Sequence, residues 1–218
     1  MTIKTGSDSA IMKILDDSTE QELNSLIRSI IGIKHALTSH YTHWCIKGPS
    51  LGASAGISAM VQEENGHIAI LKRVITNQNE LQQDNASLQG LKQKPENWSQ
   101  VIANILVFDG IAYRVLSDLE DSNYEPLEKN ILKIIKEEKF HQLYGCEWAR
   151  LLISSDNFRE SFIYDVQKAM EHLKEHSETL FPSEELFKAG IIKKKTKDIL
   201  MELEGEIKSI LYEFTVGI

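Results

Sequence analysis

Two Glu-x-x-His units are the residues most able to do chemistry: Glu64-Asn65-Gly66-His67 and Glu138-Lys139-Phe140-His141. On a helix, residues three apart share a face, so each unit presents a carboxylate and an imidazole to one point. A further glutamate, Glu63 or Glu137, precedes each unit. One such unit arises readily by chance. Two of them, on the second helices of two successive hairpins, form the pattern of four-helix bundles that hold two metal ions through carboxylates. In such bundles each of the other two helices adds one more carboxylate.

Depth in the bundle locates those remaining positions. The first hairpin turn is centred near Pro49, so Glu64 lies 15 residues beyond it and residue 34 lies 15 before it. The second turn is centred near Asn123 or Tyr124, and the position matching Glu138 is Asp109. At the rise of a helix, both depths are about 22 Å from the turns. Asp109 sits in Val107-Phe108-Asp109-Gly110-Ile111, where an uncompensated carboxylate is costly. It is either a metal ligand or a salt-bridge partner of Lys34. Residue 34 is a lysine, not a carboxylate. Three outcomes follow. The lysine swings aside or loses its proton, leaving five ligands for two ions. It takes the place of one ion. Or its ammonium bridges the carboxylates and replaces metal altogether. A register shift of one residue would bring His35 into the site instead.

The elements that must position these groups are helices. Thr19 and Glu22 form a T-x-x-E start signal, and Leu23, Leu26, Ile27, Ile30, Ile31, Ile33 and Leu37 recur at helical spacing to about Ile46. Lys47-Gly48-Pro49-Ser50 stops that helix and starts one expected over 51–77. Residues 77–95 read as a long polar connection. Trp98 opens a third helix running to about 121. Pro126 falls in the first turn of a fourth, to about Ile153. A fifth is expected over 158–180, a short one after Ser183, and a last one over 195–214. Residues 1–18 read as a loose lead-in and 19–218 as one domain. The class is all-α, a four-helix bundle with additional C-terminal helices.

Composition narrows the function. The chain has 218 residues, with 24 Lys and Arg against 32 Asp and Glu, a formal charge of −8. That balance argues against nucleic acid as a partner. Lys193–Lys195 with Lys197 reads as a solvated helix start. No apolar run of membrane-spanning length and no signal peptide is read, so the expectation is a cytoplasmic protein with no membrane partner. Cys45 and Cys146 are expected as free thiols in a reducing compartment, and the sequons at Asn85 and Asn97 then carry no meaning.

The residues so far singled out carry a resemblance. Trp44-Cys45-Ile46-Lys47-Gly48-Pro49-Ser50-Leu51 and Val61-Gln62-Glu63-Glu64-Asn65-Gly66-His67 form its first part. Trp98, Phe108-Asp109-Gly110 and Lys136-Glu137-Glu138-Lys139-Phe140-His141-Gln142 form the second. Together they resemble the phenylacetic acid catabolic proteins, above all the catalytic A subunit of the phenylacetyl-CoA epoxidase complex. The likeness is read as thinning after about residue 155. It implies a ferritin-like fold and a di-iron site that activates dioxygen. It implies Glu64, His67, Asp109, Glu138 and His141 as metal ligands, with the family's first-helix glutamate falling on Lys34. The family also has a ferritin-like sister subunit that has lost its metal residues and serves as a scaffold.

The expectation is therefore a non-haem iron oxygenase or oxidase, with Glu64, Glu138 and Lys34 acting at the reaction centre. It would hold two iron ions, or one if Lys34 fills a position; manganese would also suit the site. Its partners would be dioxygen, an organic substrate of acyl-CoA type and an external electron donor, since no flavin or iron–sulfur motif is present. A homo- or hetero-oligomer is expected. The alternative is a metal-poor structural subunit of a multicomponent oxygenase. Elsewhere, His40 and His43 near Trp44 read as solvated or stacking groups. His172 and His176, among Glu171, Glu175 and Glu178, read as a polar helix face. Tyr144, three residues after His141, could approach the site but reads as packed. Trp98, Trp148, Phe108 and Cys146 read as core. Gly66 either admits a close neighbour or leaves room beside the metals.

Overall fold

The computed structural model describes residues 15–75, 91, 93–120, 122 and 124–212, and the described residues form helices without a strand. The first helix, α1 (Asp17–Trp44), is capped by Asp16, which accepts from Thr19 N at 2.9 Å and from the Thr19 hydroxyl at 2.9 Å. The predicted Thr19/Glu22 capping box is therefore not used. Glu22 instead accepts the backbone N–H of Glu185 at 3.1 Å, at the start of a short C-terminal helix. The predicted apolar residues of α1 are buried, with Lys34, His40 and Tyr41 buried alongside them.

Ser50 caps α2 (Leu51–Leu71), accepting from Ala53 N at 3.1 Å. This helix ends earlier than predicted, and most of the predicted connection lies outside the described residues. Asn97 caps α3 (Trp98–Asp118), accepting from Gln100 N at 2.9 Å. Its Ile105–Asp109 segment is a π-helical turn, which the apolar periodicity does not reveal. Then follow α4 (Glu125–Ser154), with Pro126 in its first turn, and α5 (Arg159–Leu180). The short α6 (Glu184–Lys188) ends at Gly190, whose φ of 68° suits the left-handed helix stop. The last helix is α7 (Thr196–Tyr212).

Helices α1 to α4 make the bundle, with α1 packed along α2 and α2 against α4. The C-terminal helices α5 and α7 close over α3. This explains why α3 is apolar all round. It is long and apolar enough to cross a membrane, unlike any run read from the sequence, yet 78% of its apolar window is buried inside the protein. Close approach is bought with glycines. A Cβ on Gly56 of α2 would lie 2.5 Å from the Tyr144 ring, and one on Gly145 of α4 would lie 2.8 Å from Ile105 Cγ2 in the π turn. Tyr144 thus packs on α2 and donates to the Ala53 carbonyl at 3.0 Å. Cys45 and Cys146 are free and half-buried.

Gly66 admits no close neighbour, since a Cβ there meets nothing within 4 Å, which overturns the close-packing reading of it. Gly66→Ala should therefore stabilise the protein by roughly 0.5–1 kcal/mol, the helix penalty of glycine. Gly145→Ala should destabilise it by about 1–3 kcal/mol through overpacking on Ile105. Urea unfolding of the two variants checks both signs.

Candidate metal centre

The four bundle helices each bring one charged side chain to a common point. Lys34 comes from α1, Glu64 from α2, Asp109 from the π turn of α3 and Glu138 from α4, and all four are fully buried. His67 and His141, one turn beyond the glutamates, are buried with them. The sequence-predicted positions thus converge, Lys34 included, and His35 lies exposed on the other side of α1. The π turn immediately precedes Gly110, where a Cβ would lie 3.2 Å from both Gln142 and Leu203, so α3 can sit close to α4 and α7 here.

The Lys34 ammonium lies 3.0 Å from Glu64 Oε2, 2.5 Å from Glu138 Oε1 and 3.7 Å from Asp109 Oδ1. Burial alone would lower its pKa. The three carboxylates outweigh that penalty and hold the ammonium protonated far beyond its ordinary range. The lysine therefore points into the centre and pairs with its carboxylates rather than swinging aside.

Each imidazole spans an inner and an outer carboxylate, and the outer ones cross over between the motifs. His141 Nε2 lies 2.8 Å from Glu63, which precedes the other motif, and its Nδ1 lies 3.1 Å from Asp109 Oδ2. An ionised carboxylate only accepts, so this pair of contacts suits an imidazolium with a proton on each nitrogen. Despite burial, its hydrogen bonds and ion pairs with Asp109, Glu64 and Glu138 push its pKa up from 6.5 to about 12. His67 Nε2 donates to Glu137 at 2.8 Å, while its Nδ1 faces inward without a hydrogen-bond partner, 3.0 Å from Glu138 Oε1. Such outer carboxylates fix an imidazole's tautomer and raise its basicity as a ligand.

The donor set fits a cation. Asp109 Oδ1, Glu138 Oε2 and His67 Nδ1 are buried without hydrogen-bond partners, and a group left so is costly. One atom each from Glu64, Asp109, Glu138 and His141 lies within 4.8 Å of the others. The two halves of the centre are unequal. Glu64 Oε1 faces His141 at 3.5 Å, on the Asp109 side. Glu64 Oε2 faces Lys34 at 3.0 Å and His67 at 3.9 Å, while the ammonium also reaches Glu64 Oε1 at 3.3 Å, so it sits among the three carboxylates and closest to Glu138.

One neighbour was misplaced by sequence reasoning. His40 is buried rather than solvated, its Nδ1 3.4 Å from Asn104 Nδ2, and burial pushes its pKa down to about 4. His43 does stack, edge-on to Trp44 with ring centres 6.2 Å apart. Tyr144 is packed, as read from the sequence, and the tyrosine beside the centre is Tyr41. Its hydroxyl is buried without a hydrogen-bond partner, and burial followed by the charges of Asp109, Glu64 and Glu138 raises its pKa. Its signal was its place two helical turns beyond Lys34.

The family model described as "Phenylacetic acid catabolic protein" matches residues 12–218, so the likeness does not fade after residue 155. No curated protein matches the chain.

Lys34→Met should destabilise the metal-free protein by about 3–5 kcal/mol near pH 7, because it strands buried carboxylates without their cation. Chemical denaturation measures that loss. His141 gives a pH signature of definite sign. Its charged form has a folded pKa of about 12 against an ordinary 6.5, so its stability contribution is complete below pH 6.5 and is lost as pH rises toward 12. A metal ion must displace the Nδ1 proton, so metal affinity should increase with pH across the same window, as competition with a chelator would record.

Proposed function

The chain belongs to the phenylacetic acid catabolic protein family, and from that premise we propose that it is a ferritin-like non-haem iron protein of the oxygenase type with one metal position. The ion would be held by Glu64, Asp109, Glu138 and His141, with Lys34 standing in the place of a second ion. The observation that carries this reading is the approach of those four buried groups to within 4.8 Å.

Charge balance supports a single ion. The fully buried carboxylates are three, Glu64, Asp109 and Glu138, against the one ammonium of Lys34. Two negative charges are left, which one divalent ion neutralises. A second would leave an uncompensated excess of positive charge in a dry interior, which is strongly unfavourable. When bound, iron would supply the one-electron chemistry by which dioxygen is activated.

The chain's own residues would do the rest. His141 would give up its Nδ1 proton and keep the Nε2 proton donated to Glu63. Lys34 would stay protonated, clamp the free side of Glu64 and Glu138, and hold a fixed positive charge beside the reacting position. Electrons would come from an external donor. An organic substrate of acyl-CoA type is proposed on the family premise alone.

A second reading has its own support. Lys34 already pairs with both Glu64 and Glu138, which suits a metal-free structural subunit of a multicomponent oxygenase. Metal analysis after expression with added iron separates the readings. We expect about one iron per chain, and about two in Lys34→Glu, which restores a fourth carboxylate. None in the original protein would favour the structural subunit, and two in the original would overturn the one-ion assignment.

A further inference from the structure

Outside the bundle centre, α5 carries a second set of metal-ligating side chains. His172, Glu175 and His176 stand at i, i+3 and i+4 on one face, and one ligand atom from each lies within 4.8 Å of the others. The sequence reading of these residues as a merely polar face does not account for their arrangement. The two imidazoles are tilted over one another with ring centres 4.5 Å apart, and both are half-buried. His172 is braced from the other side by the Phe108 ring, edge-on at 6.0 Å. The His176 Nδ1 lies 3.0 Å from the His172 carbonyl oxygen. A carbonyl can only accept, so that nitrogen carries a proton, and in the neutral ring Nε2 is the one with the lone pair. This is the tautomer of a metal-ligating histidine, and the backbone holds it without any metal present.

We infer that His172, Glu175 and His176 form a second, surface cation site for a borderline divalent ion, Zn2+ above all. Two imidazoles and one carboxylate are the ligand set of an open zinc site, leaving a fourth position for water or an exogenous ligand. Nitrogen ligands rank Cu2+ and Zn2+ above Fe2+ and Mn2+, so this site would select differently from the carboxylate-rich centre inside the bundle. Glu175 is exposed and so free to close on an ion. The nearby Lys174 is engaged elsewhere, with Glu204 at 2.8 Å, and does not fill the position. The site shares a helix contact with the centre, since Phe108 adjoins Asp109 in the π turn. Its existence does not depend on whether the buried centre holds metal.

The test is calorimetric titration of Zn2+ into the full untagged chain after chelator treatment, compared with His176→Ala and Glu175→Gln. Both substitutions leave His172 packed on Phe108, and circular dichroism confirms that helix content is kept. The original protein should bind one equivalent of Zn2+ more than His176→Ala. Glu175→Gln should weaken that equivalent at least about tenfold. Cobalt substitution should give visible absorption from an open nitrogen–oxygen site, lost in His176→Ala. Identical zinc titrations of the original protein and His176→Ala would overturn the assignment. So would an extra equivalent unaffected by Glu175→Gln, which would take the carboxylate out of the site.

Discussion

The ammonium of Lys34 between Glu64 and Glu138 is the interaction around which the bundle is arranged. Three carboxylates from three helices meet where each is fully buried, and alone they would repel one another. Lys34 supplies the cation from the fourth helix at distances of 2.5 to 3.0 Å to its nearest partners. The cost of burying these groups is set off only because all are present together. Removing any one leaves a buried charge without its counterpart, which is far more damaging than losing a surface ion pair.

That constraint explains the less regular parts of the fold. Asp109 must face the centre from a helix that is otherwise covered on every side, and it sits at the end of a π turn, a local widening common at functional positions. The π turn in turn needs room on α4, which Gly145 provides opposite Ile105. The imidazoles are held from outside by Glu63 and Glu137, each of which belongs to the opposite motif. The two motifs are thereby cross-linked, so that α2 and α4 set each other's ligand geometry. On the proposed reading, a bound ion would replace protons and relieve repulsion already present, and Lys34 would limit how much positive charge the centre accepts.

Much of this was legible in the sequence because a helix advances by a constant rise. Counting outward from the two turns picked Lys34 and Asp109, and those are the side chains that meet Glu64 and Glu138. The count to Asp109 crosses only the regular part of α3, so the π turn on its far side did not disturb it. The π turn itself was invisible, because the four apolar residues Ile105–Phe108 before Asp109 satisfy either helical geometry. The Thr19/Glu22 motif failed because Asp16, three residues before Thr19, competes for the same N–H. Glu22 found a partner 163 residues away at Glu185, a contact no local pattern encodes. The crossed pairing of Glu63 with His141 and of Glu137 with His67 likewise depends on how two helices face each other. Tyr41 was within reach of the spacing argument, two helical turns beyond Lys34, but the argument was applied only to carboxylates and so passed over it.

The most direct test is a crystal structure of the iron-loaded protein with anomalous scattering recorded at the iron edge. The account predicts one peak per chain, bounded by Glu64, Asp109, Glu138 and His141, with the Lys34 ammonium still paired to Glu64 and Glu138. Two peaks, or a single peak on the His67 side with Lys34 displaced from the glutamates, would contradict it.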